Sequence, residues 1–333
     1  MNLQETINWL LEGDVSIQYQ VHRDLFGVDR EDLRNSIARK GWGARFLSKR
    51  KPDGHWGQKF YQPKWTSTHY TLLDLRNLCI APDNPLIQES IDIIINNEKG
   101  KDGGIRPIGM EQKCDVCLNG MFLNYASYFK ADGDKLKSII NFILSQLMPD
   151  GGFNCLSNRT GAKHSSLHSS LSVLEGITEY QVNGYRYRLD ELRKAKQSSI
   201  DFILLHQLFL SDKTGEIINK NFLKLAYPCR WRYDILKALD YFQYERSKWD
   251  IRMKPALEVL LKKRNADSTW NVQAKHPGQV HFEMEKAGKP SRWNTLRALR
   301  VLKHFGIEKP DATARQCATT SNKIKVEEKQ LLM

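Results

Sequence analysis

A short turn signal that keeps returning is what most restricts this chain. It reads PDGHWGQ at 52–58, KDGGIRP at 101–107 and PDGGFNC at 149–155, with looser copies SDKTGEI at 211–217 and ADSTWNV at 266–272. Each couples an Asp, usually a Gly able to take positive φ, and usually a bulky residue that can fold back on a neighbouring helix. A fixed repeat of this kind points to stacked copies of one supersecondary unit.

Helical patterns flank every turn. Apolar residues three and four apart predict helices before the turns at 31–50, 85–98, 134–148, 190–210 and 250–264. A second set follows the turns at 66–80, 115–130, 166–181, 229–244 and 291–305, and VSIQYQVHRDLF at 15–26 supplies a sixth member. The second set is richer in small and apolar residues, whereas the first carries charge on one face. That contrast predicts an inner ring of buried helices wrapped by an outer ring. Period-2 alternation with strand boundaries is missing, so the expectation is all-α with almost no sheet. Residues 1–309 read as a single domain, and 310–333, polar and without periodicity, as a disordered tail.

Composition narrows the functional classes. Fifty-one Lys and Arg against 38 Asp and Glu give +13. Such an excess suits nucleic acid, an anionic membrane surface or a phosphorylated small ligand. The basic residues are dispersed, however, and no nucleic-acid-binding motif accompanies them, which disfavours nucleic acid. The longest apolar run, FILLHQLFL at 202–210, is too short to span a bilayer, and MNLQETINWLLEGDV does not read as a signal peptide. Six cysteines, Cys79, Cys114, Cys117, Cys155, Cys229 and Cys317, lack the density of a disulfide scaffold. Reduced thiols in a cytoplasmic protein are expected.

The repeats FLSKRKPDGHWG, FILSQLMPDGGF and VLLKKRNADSTW resemble the QW-type repeats of the terpenoid-cyclase and protein-prenyltransferase superfamily. HSSLHSSLSVLEGITEY, WRYDILKALDYF and PSRWNTLRALRVLK look like bacterial squalene-cyclase-like repeat proteins. The resemblance covers roughly 15–306. It implies an α/α toroid of about six helix pairs around a central cavity that takes an isoprenoid-like or other apolar ligand, one that could carry a diphosphate. The alternative is a non-catalytic toroid that binds a peptide or partner protein.

Candidate site residues lie at the starts of the inner helices. Aligning ASYF (126–129) with ITEY (177–180) places Cys117 on His168, with Asp115 two residues before the cysteine. Thiolate, imidazole and carboxylate suit zinc with an open fourth position. The set Asp115, Cys117 and His168, with His164 in reserve, resembles the catalytic zinc site of protein prenyltransferases. Two positions where that family places basic residues hold Gly109 and Gln112 here, and the Asp-x-Asp-Asp motif of squalene-type cyclases is absent. Asp115 also reads as an N-cap and Cys117 as core. Asp234 and Tyr233 are the catalytic candidates, Asp234 as a buried acid or as the partner of an arginine. Trp231, Trp293 and His69 are candidates for a lining. Arg230, Arg232 and Arg292, with Lys113, are candidates for a basic rim able to hold an anion.

Overall fold

The computed structural model describes residues 3–107 and 113–308. The expectations for Gly109, Gln112 and the tail at 310–333 fall outside them. Within the described residues the chain is helical apart from one two-residue antiparallel pair, β1 (Trp270–Asn271) with β2 (Pro290–Ser291).

The outer helices are α1 (Leu3–Leu11), α3 (Glu31–Ser36) with α4 (Gly41–Leu47), α6 (Pro85–Asn97), α8 (Gly133–Ser145), α11 (Leu189–Leu205) and α13 (Lys254–Lys262). The inner ones are α2 (Val15–Gln20), continued by a π-helical turn at Val21–Phe26, then α5 (Thr68–Asn77), α7 (Val116–Tyr128), α10 (Leu167–Val182), α12 (Ile235–Tyr244) and α14 (Arg292–His304). A short helix, α9 (Ser157–Thr160), precedes α10. Three boundaries differ from the sequence expectation. Helix α1 carries too few repeat features to be found. The stretch 31–50 breaks at Gly41, whose φ is +62°. The fifth inner helix begins at Ile235 rather than 229, because the Asp234 carboxylate accepts the Lys237 N–H and caps it there.

One repeating device fixes four of the five turns to the inner helix that follows. The backbone N–H of the bulky turn residue donates to a side chain on the first turn of the helix that follows. The pairs are Trp56 to Thr68 Oγ1 (3.0 Å), Ile105 to Asn119 Oδ1 (2.7 Å), Phe153 to Ser170 Oγ (2.9 Å) and Trp270 to Thr295 Oγ1 (3.0 Å). Trp56 and Trp270 add a second tie, each donating its indole N–H to the carbonyl ten residues earlier, Phe46 and Leu260. The residue after the turn Asp has positive φ at Gly54, Gly103 and Gly151, and at Ser268 of the degenerate copy.

The inner helices close on themselves. Arg300 of α14 reaches Asp24 (3.0 Å) and Gln20 (3.2 Å), Lys303 donates to the carbonyls of Asp24 and Leu25, and Arg292 donates to the carbonyl of Trp9. The first and last inner helices are therefore neighbours, and the fold is an α/α toroid. Its tightest seam joins α7 to α10. A Cβ on Gly176 would lie 2.3 Å from the Gly120 carbonyl oxygen, so only glycine permits the approach. One continuous apolar core runs from Ile7 to Leu302 between the two layers. No helix among the described residues is long and apolar enough to cross a membrane.

Candidate functional site

The centre of the ring holds a chamber of about 120 Å³. Its lining is not the apolar wall expected for a hydrocarbon. Six cationic side chains (Arg23, Arg76, Arg230, Lys237, Arg297 and Arg300) face two carboxylates, Glu175 and Asp240. Most of the remaining wall is tyrosine, amide and Trp293.

Ion pairs account for most of these cations. Asp240 bridges Arg297 (3.0 Å) and Arg300 (2.5 Å). Burial alone would raise its pKa, but Arg300 and Arg297 hold the carboxyl below the usual range. Asp24 likewise sits between Arg23 (2.6 Å) and Arg300 (3.0 Å). Arg76 pairs with Glu179, which also accepts the Tyr244 hydroxyl (2.8 Å). Lys237 binds Glu175 (3.1 Å) and the carbonyl of Arg230 (2.9 Å).

Arg230 is the exception in having no carboxylate within hydrogen-bonding range. It is buried, its guanidinium carbon lies 4.6 Å from the Trp65 ring centroid, and its Nε–H has no partner, as is also the case for the Arg76 Nε–H. Its ion-pair partner, Asp74, is at 3.9 Å, beyond hydrogen-bonding range. Asp74 is itself buried, and burial pushes its carboxyl up to about 6 against the opposing pull of Arg230. A carboxyl poised there can exchange a proton near neutral pH. The chamber is also lined by Asn124, whose Oδ1 is buried and without a partner.

The expected zinc set does not assemble. Asn119 and Ser170 do the same job in successive repeats, 51 residues apart, so Cys117 and His168 are equivalent positions as aligned. Equivalence in a ring, however, turns both side chains the same way round the axis rather than towards each other. Cys117 meets Cys155, while His168 meets the next unit, accepting the Tyr233 N–H at Nδ1 (2.8 Å) and packing against Trp231 and Phe222. Asp115 lies near Cys117 and pairs with Arg159 (3.4 Å). His164 is exposed, with its carbonyl accepting from Asn154. Among the described residues no group of three or more His, Cys, Asp or Glu is arranged to hold a metal ion.

The other candidates divide between the two ends of the ring. Arg230 and Trp293 line the central chamber, with Trp293 stacked on Tyr227 at 4.9 Å. Arg232, Tyr233 and Asp234 line a second chamber at the N-terminal ends of the inner helices. The Tyr233 hydroxyl donates to the Leu208 carbonyl, and Asp234 is spent on capping α12 and on Cys229 (3.5 Å). Burial raises the Asp234 pKa, against the pull of Arg297. Lys64 lies over Trp231, 5.2 Å from the ring. Arg292 lies over Trp9 and donates to its carbonyl, and it lines neither chamber. His69 is fully buried against Tyr125 (3.1 Å), and burial pushes its pKa down to about 3.

Sequence reasoning missed Arg76, Lys237, Asp240, Arg297 and Arg300. The available signal was charge recurring on helices that must be buried on every side, as in WNTLRALRVL. A helix of that kind can only turn its charges into the bore.

No family model matches the chain, and no curated protein matches it. Among solved structures it is similar to variants of the type II terpene cyclase MstE from Scytonema. Against the apo form the identity is 12%, covering 91% of this chain and 98% of that one, at a TM-score of 0.34. Against a complex with geranylgeranyl dihydroxybenzoate the values are 13%, 92%, 100% and 0.34. A third form holds merosterolic acid A, at 13% identity and the same score. A score this low carries no argument, and the toroid rests on the contacts described above.

Proposed function

We propose that this toroid binds a small anionic ligand, a carboxylate or a phosphate, in its central chamber, with Arg230 as the principal contact. The observation that carries this reading is a buried guanidinium, Arg230, whose Nε–H is unpartnered and whose carboxylate partner lies beyond hydrogen-bonding range, in a chamber where the other cations have closer ion partners. Buried donors left without partners are costly, and a ligand oxyanion satisfies them through strong charge-assisted bonds. Size supports the same class. A cavity of about 150 Å³ holds one benzene. A chamber of about 120 Å³ therefore suits a ligand of a few heavy atoms rather than a farnesyl-length chain.

Calorimetric titration of the purified protein with acetate, succinate, phosphate and pyrophosphate tests the reading. At least one anion binds saturably, and Arg230→Met weakens it about tenfold or more, the value of one charge-assisted hydrogen bond. Arg230→Lys, which keeps the charge but loses the planar fork, recovers only part of the affinity. Uniform affinity across wild type and both variants refutes the proposal. Prenyl diphosphate binding far tighter than pyrophosphate would instead support an apolar ligand.

A further inference from the structure

The second chamber, about 210 Å³ at the mouth of the ring, is separate from the first. Cys229 lines the central chamber, Asp234 lines the mouth, and the two side chains touch at 3.5 Å, so they form part of a shared wall. We infer that the mouth chamber is an oxyanion site, built for a phosphate or similar tetrahedral group, in which His168 Nε2–H and Arg232 are the fixed donors.

The tautomer of His168 follows from its partner. Because Nδ1 accepts the Tyr233 N–H at 2.8 Å, it carries no proton, so the neutral ring is protonated at Nε2. The ring stays neutral at pH 7, since burial, reinforced by Lys237 and Arg232, pushes its pKa down to about 4. His168 therefore carries a fixed Nε2–H and lines the chamber. Arg232 lies with its guanidinium carbon 5.0 Å from the Trp231 ring, and its Nε–H is buried without a partner. Lys224 comes from a further segment of the wall, while Lys275, from another, is paired with Glu283. Asn219 uses its oxygen to cap the Asn221 N–H (2.9 Å), which leaves the NH₂ end of its amide to donate. The lining carboxylate, Asp234, is already engaged with the Lys237 N–H (2.8 Å) and with Cys229. His276 also lines the chamber, with its Nε2 buried and without a partner. The donors left over are Arg232, Lys224, the Asn219 amide and the His168 N–H, and donors with positive charge select an oxyanion.

The test is titration of the full chain with inorganic phosphate at pH 7, followed by calorimetry and by ¹⁵N NMR of the histidine rings. His168→Asn is the informative variant, because its Oδ1 stands near the position of Nδ1 and still accepts the Tyr233 N–H while the Nε2 donor is gone. Phosphate is expected to bind saturably, to shift the His168 Nε2 resonance, and to weaken about tenfold in His168→Asn and in Arg232→Gln. Arg230→Met, which addresses the central chamber, leaves this event in place, so the two sites fail independently. Absence of saturable phosphate binding at millimolar concentration, a proton found on His168 Nδ1, or unchanged affinity in both mouth variants overturns the inference.

Discussion

The bore and the mouth of this ring use the same residue types to opposite ends. In the bore, Arg23, Arg297 and Arg300 are locked to Asp24 and Asp240 across α2, α12 and α14. These pairs lie where the first and last inner helices meet, so they bind the closure of the toroid. At the mouth, Arg232 and Lys64 lie over Trp231 with no carboxylate partner among their described ion pairs. A buried cation that is paired serves the fold. One that is left unpaired beside a chamber is available to a ligand. Arg230 belongs by position to the bore and by its unpartnered Nε–H and distant carboxylate to the second kind.

The largest expected difference between the two ends is in stability. Asp240→Ala leaves Arg297 and Arg300 buried without their shared counter-charge and costs about 3–5 kcal/mol. Denaturant unfolding should show this as a lowered midpoint. Arg232→Gln, by contrast, stays within about 0.5 kcal/mol of wild type. Similar losses in the two variants would erase the distinction.

Acid should separate them next. His69 is fully buried with a pKa near 3, below its unfolded value of 6.5, so the fold favours its neutral form. Its contribution is complete above 6.5 and is lost as pH falls towards 3, because the unfolded chain then binds the extra proton. Between pH 7 and pH 5 this amounts to about 2 kcal/mol. His168, His276 and His281, each depressed to about 4, add in the same direction. Asp24 and Asp240 are held below 3.8 by their arginines, so their contribution is lost only in a lower window, beneath 3.8. Asp74 and Glu285, raised by burial to about 6 and about 7, work in the opposite direction over the same range, because the folded chain then binds the extra proton. The informative quantity is therefore the difference between wild type and His69→Gln, in which the fall from pH 7 to pH 5 should shrink by about 2 kcal/mol. An unchanged pH profile in His69→Gln would contradict the histidine assignment.

The smallest effect is on the turns. Ser268 holds the positive φ that glycine fills in the other copies. Ser268→Gly should stabilise by no more than about 1 kcal/mol, read as a slight rise in melting temperature. A clear loss would show that the serine side chain contributes more than the backbone conformation costs.

The ring itself was legible because an Asp-led turn, usually with a bulky residue, recurs between two kinds of helical pattern. Thr68, Asn119, Ser170 and Thr295, which tie four of those turns to the next helix, were visible only in the structure, and they agree with the offset of 51 read from ASYF and ITEY. The site was less legible. Spacing placed Cys117 and His168 at the same height but carried no information about rotation, and the rotation sends them to Cys155 and Tyr233 instead. Likewise, a cavity for an apolar ligand was expected from the resemblance of the repeats, and the inner helices do read as apolar. That character belongs to the faces packed on the outer ring, while Arg297 and Arg300, one turn apart, face inward. The Asp234 carboxylate was found as a buried acid, yet its place as the cap of α12 required the helix start to be known.

The central claim, that the bore offers a small polar anion site at Arg230 rather than a hydrocarbon channel, is tested most directly by anomalous diffraction. Crystals grown with selenate in place of sulfate should show a selenium peak in the central chamber within hydrogen-bonding distance of the Arg230 guanidinium, and that peak should vanish in Arg230→Met. Selenium confined to exposed lysines, with elongated lipid-like density filling the bore, would contradict the account.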